Sequence, residues 1–121
     1  MRFPLVLAFV AVTACGGGSS SGSTPTTPTV PRTPGTPIVT TAVTLRNNLF
    51  DPVDIVVAPS ATITYSNADG RPHNVTFANQ TITSVPDWST GDRTVAMPAA
   101  TGTYGYTCTI HAGMNGTVKV Q

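Results

Sequence analysis

The sequence is short of charge, of helix-forming residues, of histidine and of cysteine, and each shortage narrows what the chain can be. Charged residues make up 9 % of its 121 residues and the formal net charge is +1, which leaves no basic footprint for binding nucleic acid. Glu, Lys and Leu are scarce while Thr, Val, Gly and Pro are abundant, and this composition favours an all-β domain over a helical one. The length allows one domain at most.

The first fifteen residues have the organisation of an export signal. Arg2 precedes a short apolar run that is too short for an ordinary transmembrane span, and small residues follow it. The ending Val12-Thr13-Ala14-Cys15 resembles the bacterial lipobox, which predicts a lipid on Cys15. The alternative is an ordinary signal peptide cut elsewhere, with Cys15 incidental. A lipid would hold the protein at a membrane without spanning it, in the bacterial cell envelope and facing the periplasm or the exterior.

Residues 16–37 are predicted to be a disordered linker. The Gly/Ser-rich part is typical of a flexible coil, and prolines then recur at every third position from Pro25 to Pro37. Polyproline II has three residues per turn, so this part is expected to be an extended rod of roughly 40 Å. The linker holds almost no core-forming residue, so we expect it to make no fixed contacts and to act as a spacer.

Residues 38–121 are predicted to form the folded domain, in which apolar residues alternate with polar ones. The alternation runs from Val43 to Val120 in segments separated by turn residues, which predicts seven or eight short strands with one buried face each. Such strands build a Greek-key β-sandwich or small barrel. Residues 78–92 break the alternation, and we expect a longer loop there with one short strand near Thr81–Val85. Tyr104, in the Gly102-Thr103-Tyr104 run after Pro98, is interpreted as a tyrosine corner. Four basic residues against five acidic ones give the domain a net charge of −1, and we expect a monomer.

One turn near the C-terminus concentrates the metal-binding side chains. Cys108, His111 and Met114 lie within seven residues between two alternating runs, and the second histidine of the chain, His73, belongs to a distant strand. A thiolate and a thioether favour Cu(I), whereas imidazoles accept either oxidation state of copper. Two imidazoles and a thiolate with a weak axial thioether are the ligands of a blue-copper electron-transfer site. Binding across distant strands should stabilise the fold.

Each of these ligands has a plainer interpretation. Cys108 is alternatively a buried structural thiol, His111 an exposed loop residue and His73 a hydrogen-bonded strand histidine. Met114 is the weakest assignment, because axial ligation is weak and a core role would explain the residue equally. Met97 lies on a strand with inward parity and is interpreted as core.

Two long motifs, in order, resemble the cupredoxins, specifically the plastocyanin/amicyanin-like group. The first half carries Phe50-x-Pro52-x-x-Ile55-x-Val57, then Ile63-x-Tyr65-x-Asn67-x-Asp69 and His73-Asn74-Val75. The second half carries Gly102-x-Tyr104-x-Tyr106-x-Cys108-x-x-His111-x-x-Met114-x-Gly116-x-Val118. The resemblance covers nearly all of residues 42–121, and the short Cys-x2-His-x2-Met spacing is similar to that of the amicyanin-like members.

The resemblance implies roles for residues around the ligands. It implies one copper per domain, and that Asn74 braces the two ligand loops; alternatively Asn74 is an outward-facing strand residue. It also implies that redox partner proteins dock near His111, the usual electron port, and that Arg71 biases their docking. Cupredoxins often have Pro after the second histidine, and this chain has Ala112, which leaves His111 less restrained. Trp88 is interpreted as core rather than docking surface.

The motifs therefore predict a membrane-tethered electron carrier that cycles between Cu(II) and Cu(I). The alternative is a protein that binds or delivers copper without redox turnover. An enzyme is disfavoured, because two histidines cannot supply a trinuclear copper centre and no orienting third residue accompanies the Cys–His pair.

Overall fold

The computed structural model describes residues 35–121, so the predicted leader (1–15) and residues 16–34 of the predicted linker lie outside the described residues. The described chain is all-β and begins its first strand at Ile38. Its strands are β1 (Ile38–Val39), β2 (Ala42–Arg46), β3 (Leu49–Asp51), β4 (Asp54–Val57), β5 (Thr62–Asn67), β6 (His73–Phe77), β7 (Val85–Trp88), β8 (Gly91–Ala96), β9 (Gly102–Thr107) and β10 (Asn115–Val120). Across residues 35–121, no helix has the length and apolar character needed to cross a membrane.

The strands form two sheets that enclose one core. The larger sheet has the order β1-β4-β10-β9-β6-β7, and the smaller has the order β3-β2-β5-β8. β4 runs parallel to β10 and β2 runs parallel to β5, and neither pair is adjacent in sequence. The larger sheet thus combines early and late strands of the chain, which places residues from distant parts of the sequence side by side.

The core follows the predicted alternation. Side chains on the inward face of β2, β4, β5 and β10 are buried and the residues between them are more exposed, whereas on β6 the polar Asn74 is buried as well. Burying one large apolar side chain contributes about 1.5–3 kcal/mol, so these strands supply a stable core without a disulfide. Phe50, Tyr65, Phe77 and Tyr106 form an aromatic cluster at its centre, with ring centroids 4.8–6.4 Å apart. Burial, together with Tyr106, raises the pKa of Tyr65 well above its ordinary value.

Gly116 lies on β10 directly opposite Tyr106 of β9. A Cβ atom at this position would lie 2.4 Å from Cζ of the Tyr106 ring. Real Cβ atoms do not approach other atoms so closely, so the aromatic ring occupies the space that a side chain would need. Glycine at this position is therefore a packing requirement of the core.

The predicted all-β fold is confirmed, and the differences lie in the shortest elements. Residues 35–121 contain ten strands where seven or eight were predicted, because β1 and β3 have only two and three residues, too few for alternation to reveal. The strand expected near Thr81–Val85 instead occupies Val85–Trp88, where the two buried residues are three apart and the pairing with β6 is irregular. Trp88 is buried as predicted, and the Tyr104 hydroxyl donates to the Ala100 carbonyl at 2.8 Å, as expected of a tyrosine corner.

Candidate metal centre

Three of the four predicted ligands converge at one end of the larger sheet. His73 begins β6, and Cys108 immediately follows β9, which pairs with β6 through Thr76 and Thr107. The Cys108 Sγ atom lies 3.4 Å from His111 Nδ1 and 3.9 Å from His73 Nδ1. One donor atom from each of the three residues falls within 4.8 Å of the others.

These separations suit a metal ion in the plane of the three donor atoms. Metal bonds of about 2.0–2.3 Å to nitrogen and sulfur, arranged at trigonal angles, place the donor atoms roughly 3.5–4 Å apart. Both imidazoles present Nδ1 to the thiol, and the two rings lie 4.7 Å apart between centroids. The donor set of one thiol and two imidazoles fits copper in either oxidation state.

The connection from Cys108 to Met114 is folded tightly by its own backbone. The Cys108 N–H donates to the Met114 carbonyl at 2.9 Å, and the Met114 N–H donates to the His111 carbonyl at 3.2 Å. The Thr107 hydroxyl also donates to the Met114 carbonyl at 3.1 Å. Met114 is completely buried and Cys108 nearly so, and the pairing of Thr107 with Asn115 closes the base of the loop. The backbone of Met114, the fourth predicted ligand, is thereby held against the backbone of Cys108.

His73 is held from its far side by a carboxylate. Its ring is fully buried, and Nε2 lies 3.0 Å from Oδ1 of Asp69. The same carboxylate accepts the backbone N–H of Arg71 at 3.1 Å and that of Asn47 at 2.9 Å. Burial alone would raise the pKa of Asp69, but these backbone groups and the His73 ring lower it, and the net pKa lies below its ordinary value. The contact fixes which nitrogen His73 can offer to a metal.

Asn74 links the two ligand-bearing segments. Its side-chain Nδ2 donates to the Thr109 hydroxyl at 2.8 Å, and the Thr109 N–H donates back to Oδ1 at 2.9 Å. Nδ2 also donates to Asp87 Oδ1 at 2.8 Å, which adds strand β7 to the network. The backbone N–H of Asn74 lies 3.5 Å from Cys108 Sγ and donates toward it. An N–H aimed at sulfur favours the negatively charged thiolate.

His111 differs from His73 in its exposure. Its side chain is partly exposed, and the neighbouring Ile110, Ala112 and Gly113 are exposed, with Ile110 at 47 %. The hydrogen bond recorded for its ring among residues 35–121 runs from Nδ1 to Cys108 Sγ, so Nε2 has no carboxylate partner of the kind that His73 has. Arg71, which the resemblance implies near this surface, is exposed, and so is its neighbour Pro72.

The sequence interpretation missed Asp69, Thr109 and Asp87 as supporting residues. Asp69 is four residues before His73 in an Asp-Gly turn, a spacing that signals a turn carboxylate close to an imidazole. Thr109 and Asp87 carry no such signal, because their contacts with Asn74 join residues far apart in sequence. Met97 is buried in the core, as interpreted, and Cys108 is a free buried thiol in the described part of the chain. Cys15 lies outside the described residues.

Comparison with known proteins matches nearly the whole described domain. Residues 39–121 match the family model for copper binding proteins of the plastocyanin/azurin family. Plastocyanin from Scenedesmus fuscus is 35 % identical over 85 residues, covering 60 % of this chain and 87 % of that protein. Chloroplastic plastocyanin from Hordeum vulgare is 35 % identical over 82 residues, and the chain spans only 53 % of its length.

Solved structures with the same fold include variants of amicyanin. One oxidized variant superposes with a TM-score of 0.59 at 26 % identity, covering 66 % of this chain and 80 % of its own. A reduced variant superposes with a TM-score of 0.60 at 26 % identity, covering 74 % of this chain and 87 % of its own. The family match over residues 39–121 includes both halves of the domain that contribute to the cluster around Cys108.

Proposed function

Because the chain belongs to the plastocyanin/azurin family of copper-binding proteins, and as a cupredoxin carries one copper ion, we propose that it is a one-electron carrier with a mononuclear type 1 site. The observation that carries the proposal is the approach of one thiol and two imidazole nitrogens to within 4.8 Å at one end of the larger sheet. The domain is an electron carrier rather than an enzyme in this proposal.

We assign His73 Nδ1, Cys108 Sγ and His111 Nδ1 as the three atoms that would hold the copper, with the Met114 thioether as a weaker fourth ligand. The first three are supported by the donor separations, and Met114 by its complete burial and its backbone bonds to Cys108 and His111. Copper held by these groups supplies a one-electron couple between Cu(II) and Cu(I).

The chain's own contribution is to keep the donor atoms in place. Three buried side chains and the hydrogen bonds of Asn74 fix the ligand positions without a metal, so little reorganisation accompanies a change of charge. The buried surroundings exclude water from the thiol, and the N–H of Asn74 stabilises its negative charge. A preorganised site of this kind suits rapid electron exchange.

Partner proteins would exchange electrons through the exposed edge of His111. The ring is the one imidazole of the site that is partly exposed, and Ile110 and Ala112 give its surroundings an uncharged, partly apolar surface. With a net charge of −1 over residues 38–121, docking relies on this patch and on Arg71 rather than on a strong long-range field. The domain is proposed to act as a monomer.

Adding Cu(II) to the purified protein tests the proposal directly. An intense blue charge-transfer band and reversible one-electron reduction are expected, and Cys108→Ser should abolish the band while the fold survives. A colourless wild-type product contradicts the proposal. Tight Cu(I) binding without a stable Cu(II) form would instead assign the protein to copper delivery.

A matched pair of variants tests the assignment of Met114 as a ligand, because Met97 and Met114 are both buried methionines. Met114→Leu should change the reduction potential and the visible spectrum, because it removes the proposed thioether ligand. Met97→Leu should leave both unchanged. Equal spectra in the two variants would show that Met114 is a core residue.

We further propose that the protein is exported to the bacterial cell envelope and tethered by a lipid on Cys15, with the segment 16–37 as spacer. The lipobox-like run and the Gly/Ser sequence after it support this. Cys15→Ser should move the protein from the membrane fraction to the soluble one, whereas Ser19→Ala in the same segment should not. Continued membrane association of the Cys15 variant would refute the anchor.

A further inference from the structure

The two imidazoles of the site are supported in different ways. Nε2 of His73 lies 3.0 Å from Oδ1 and 3.2 Å from Oδ2 of Asp69. No group among residues 35–121 makes an equivalent bond to His111. Asp69 therefore places a negative charge on one side of the site. Only the His73 ring separates this charge from the donor atoms.

The carboxylate is itself fixed in position. Oδ2 accepts the Asn47 N–H from the β2–β3 turn, and Oδ1 accepts the Arg71 N–H. The loop that carries it is braced by Asn67, whose Nδ2 donates to the Arg71 and Trp88 carbonyls at 2.8 and 2.9 Å. The Asp69 side chain is only 15 % exposed. A carboxylate held by three partners at once cannot turn away from the His73 ring without losing bonds.

We propose that Asp69 is a positioning residue for the copper ligand His73, and that its charge favours the oxidised form of the site over the reduced form. The inference rests on the proposed ligation through His73 Nδ1. Accepting the Nε2–H commits the imidazole to the tautomer with Nδ1 free, facing Cys108 Sγ. The negative charge strengthens the imidazole as a donor, which benefits the more positive Cu(II) state more than Cu(I).

The competing explanation is that Asp69 only stabilises its turn. Its bond to the Arg71 N–H, two residues on, is the kind of contact that aspartate makes in turns. That role would affect the stability of the metal-free fold and leave the redox balance unchanged. Measuring the reduction potential of Asp69 variants therefore distinguishes the two roles.

The experiment compares the wild type with Asp69→Asn, Asp69→Ala and the charge control Asp92→Asn. Asp92 is exposed on β8, and the Arg93 guanidinium donates to its backbone carbonyl at 2.8 Å rather than to its carboxylate. Asp69→Asn keeps an oxygen that can accept from Nε2 but removes the charge, whereas Asp69→Ala removes both. Cu(II) and Cu(I) affinities, reduction potential, visible spectrum and unfolding of the metal-free protein are measured for each.

We expect Asp69→Asn to raise the reduction potential. A tenfold fall in the Cu(II)-to-Cu(I) affinity ratio corresponds to about 59 mV for one electron. Asp69→Ala should raise it at least as far and weaken Cu(II) binding about tenfold or more, the usual cost of losing such a partner. Asp92→Asn should match the wild type. In the metal-free wild type, ¹⁵N NMR should show His73 as the Nε2–H tautomer.

An unchanged potential in Asp69→Asn, or an equal shift in Asp92→Asn, overturns the inference. Lower stability of the metal-free variants with an unchanged potential would assign Asp69 to the turn alone. If Asp69→Ala does not fold, Asp69→Asn still decides the question. A wild-type protein that does not turn blue with Cu(II) would refute the proposed function instead, so the two failures are distinguishable.

Discussion

Two segments deliver the ligands, and they are held by different kinds of bond. The downstream loop (residues 108–114) is closed by its own backbone, from Cys108 N–H to the Met114 carbonyl and from Met114 N–H to the His111 carbonyl. The upstream brace (residues 67–74) is held by side chains, with Asn67, Asp69 and Asn74 each reaching another part of the chain. The downstream loop therefore depends on the number of residues between its backbone bonds, whereas the upstream brace depends on the identity of particular side chains.

The difference divides the work of the site between its two imidazoles. His73 in the upstream brace is completely buried and bonded on both sides, which suits a ligand that fixes geometry. His111 in the downstream loop is partly exposed and held on one side, which suits a ligand that meets a partner. Changes to the upstream brace should therefore alter the relative affinity of the site for Cu(II) and Cu(I). Changes to the downstream loop should alter how readily partners and small molecules reach the site.

The largest expected contrast comes from removing each imidazole in turn. His73→Gly and His111→Gly should both lose the blue band. Added imidazole should restore it in His111→Gly, because that ring already reaches solvent, and should fail in His73→Gly, whose cavity is enclosed. Absorbance titrations measure this, with imidazole added to the wild type as control. Equal rescue of both variants would contradict the division between the segments.

Gly116→Ala should damage the support of the downstream loop without touching a ligand. The new Cβ would lie 2.4 Å from the Tyr106 ring, and overpacking of this kind costs on the order of 3 kcal/mol of unfolding free energy. Urea unfolding of the metal-free protein measures the loss. Gly105→Ala is the matched control, since a Cβ at that glycine meets no atom within 4 Å. Similar losses in both variants would rule out the ring contact as the cause.

Asn74→Ala removes the bond between the two segments. The variant loses the exchange with Thr109 and the bond to Asp87, and leaving these groups unpaired should cost about 2 kcal/mol. Urea unfolding of the metal-free protein gives the value. Asn79→Ala, which removes an exposed contact within a turn, should cost less than half as much. A loss no greater than that of the control would show that the bridge is not structural.

Gly113→Ala should have the smallest effect. Gly113 has φ of +78° in the exposed part of the downstream loop, so a Cβ there is strained even though nothing crowds it, at a cost of about 1 kcal/mol. Gly113→Asn should cost less, because asparagine tolerates the left-handed region. Thermal unfolding with and without copper measures both. A cost for asparagine equal to that for alanine would point to a cause other than backbone strain.

The sequence revealed the downstream loop more fully than the upstream brace. Cys108, His111 and Met114 are close in sequence, and local spacing was enough to predict that they share a turn. His73 was predicted as the second imidazole of the chain and not from its spacing, because 35 residues separate it from Cys108 and the two segments meet through the pairing of β6 with β9. Asp87 and Thr109 were out of reach, since which residues meet Asn74 depends on packing between strands. The strand at Val85–Trp88 was misplaced because its burial does not alternate.

The pairing of Thr107 with Asn115 has a consequence for how the molecule can vary. These two residues close the ladder of β9 and β10, and everything between them lies outside the sheet. Insertions or replacements between Ile110 and Gly113 would thus leave both the strand ladder and the Asn74–Thr109 bond in place and alter the spacing of three ligands. Changes in the loop can therefore alter the reduction potential without changes to the sandwich fold.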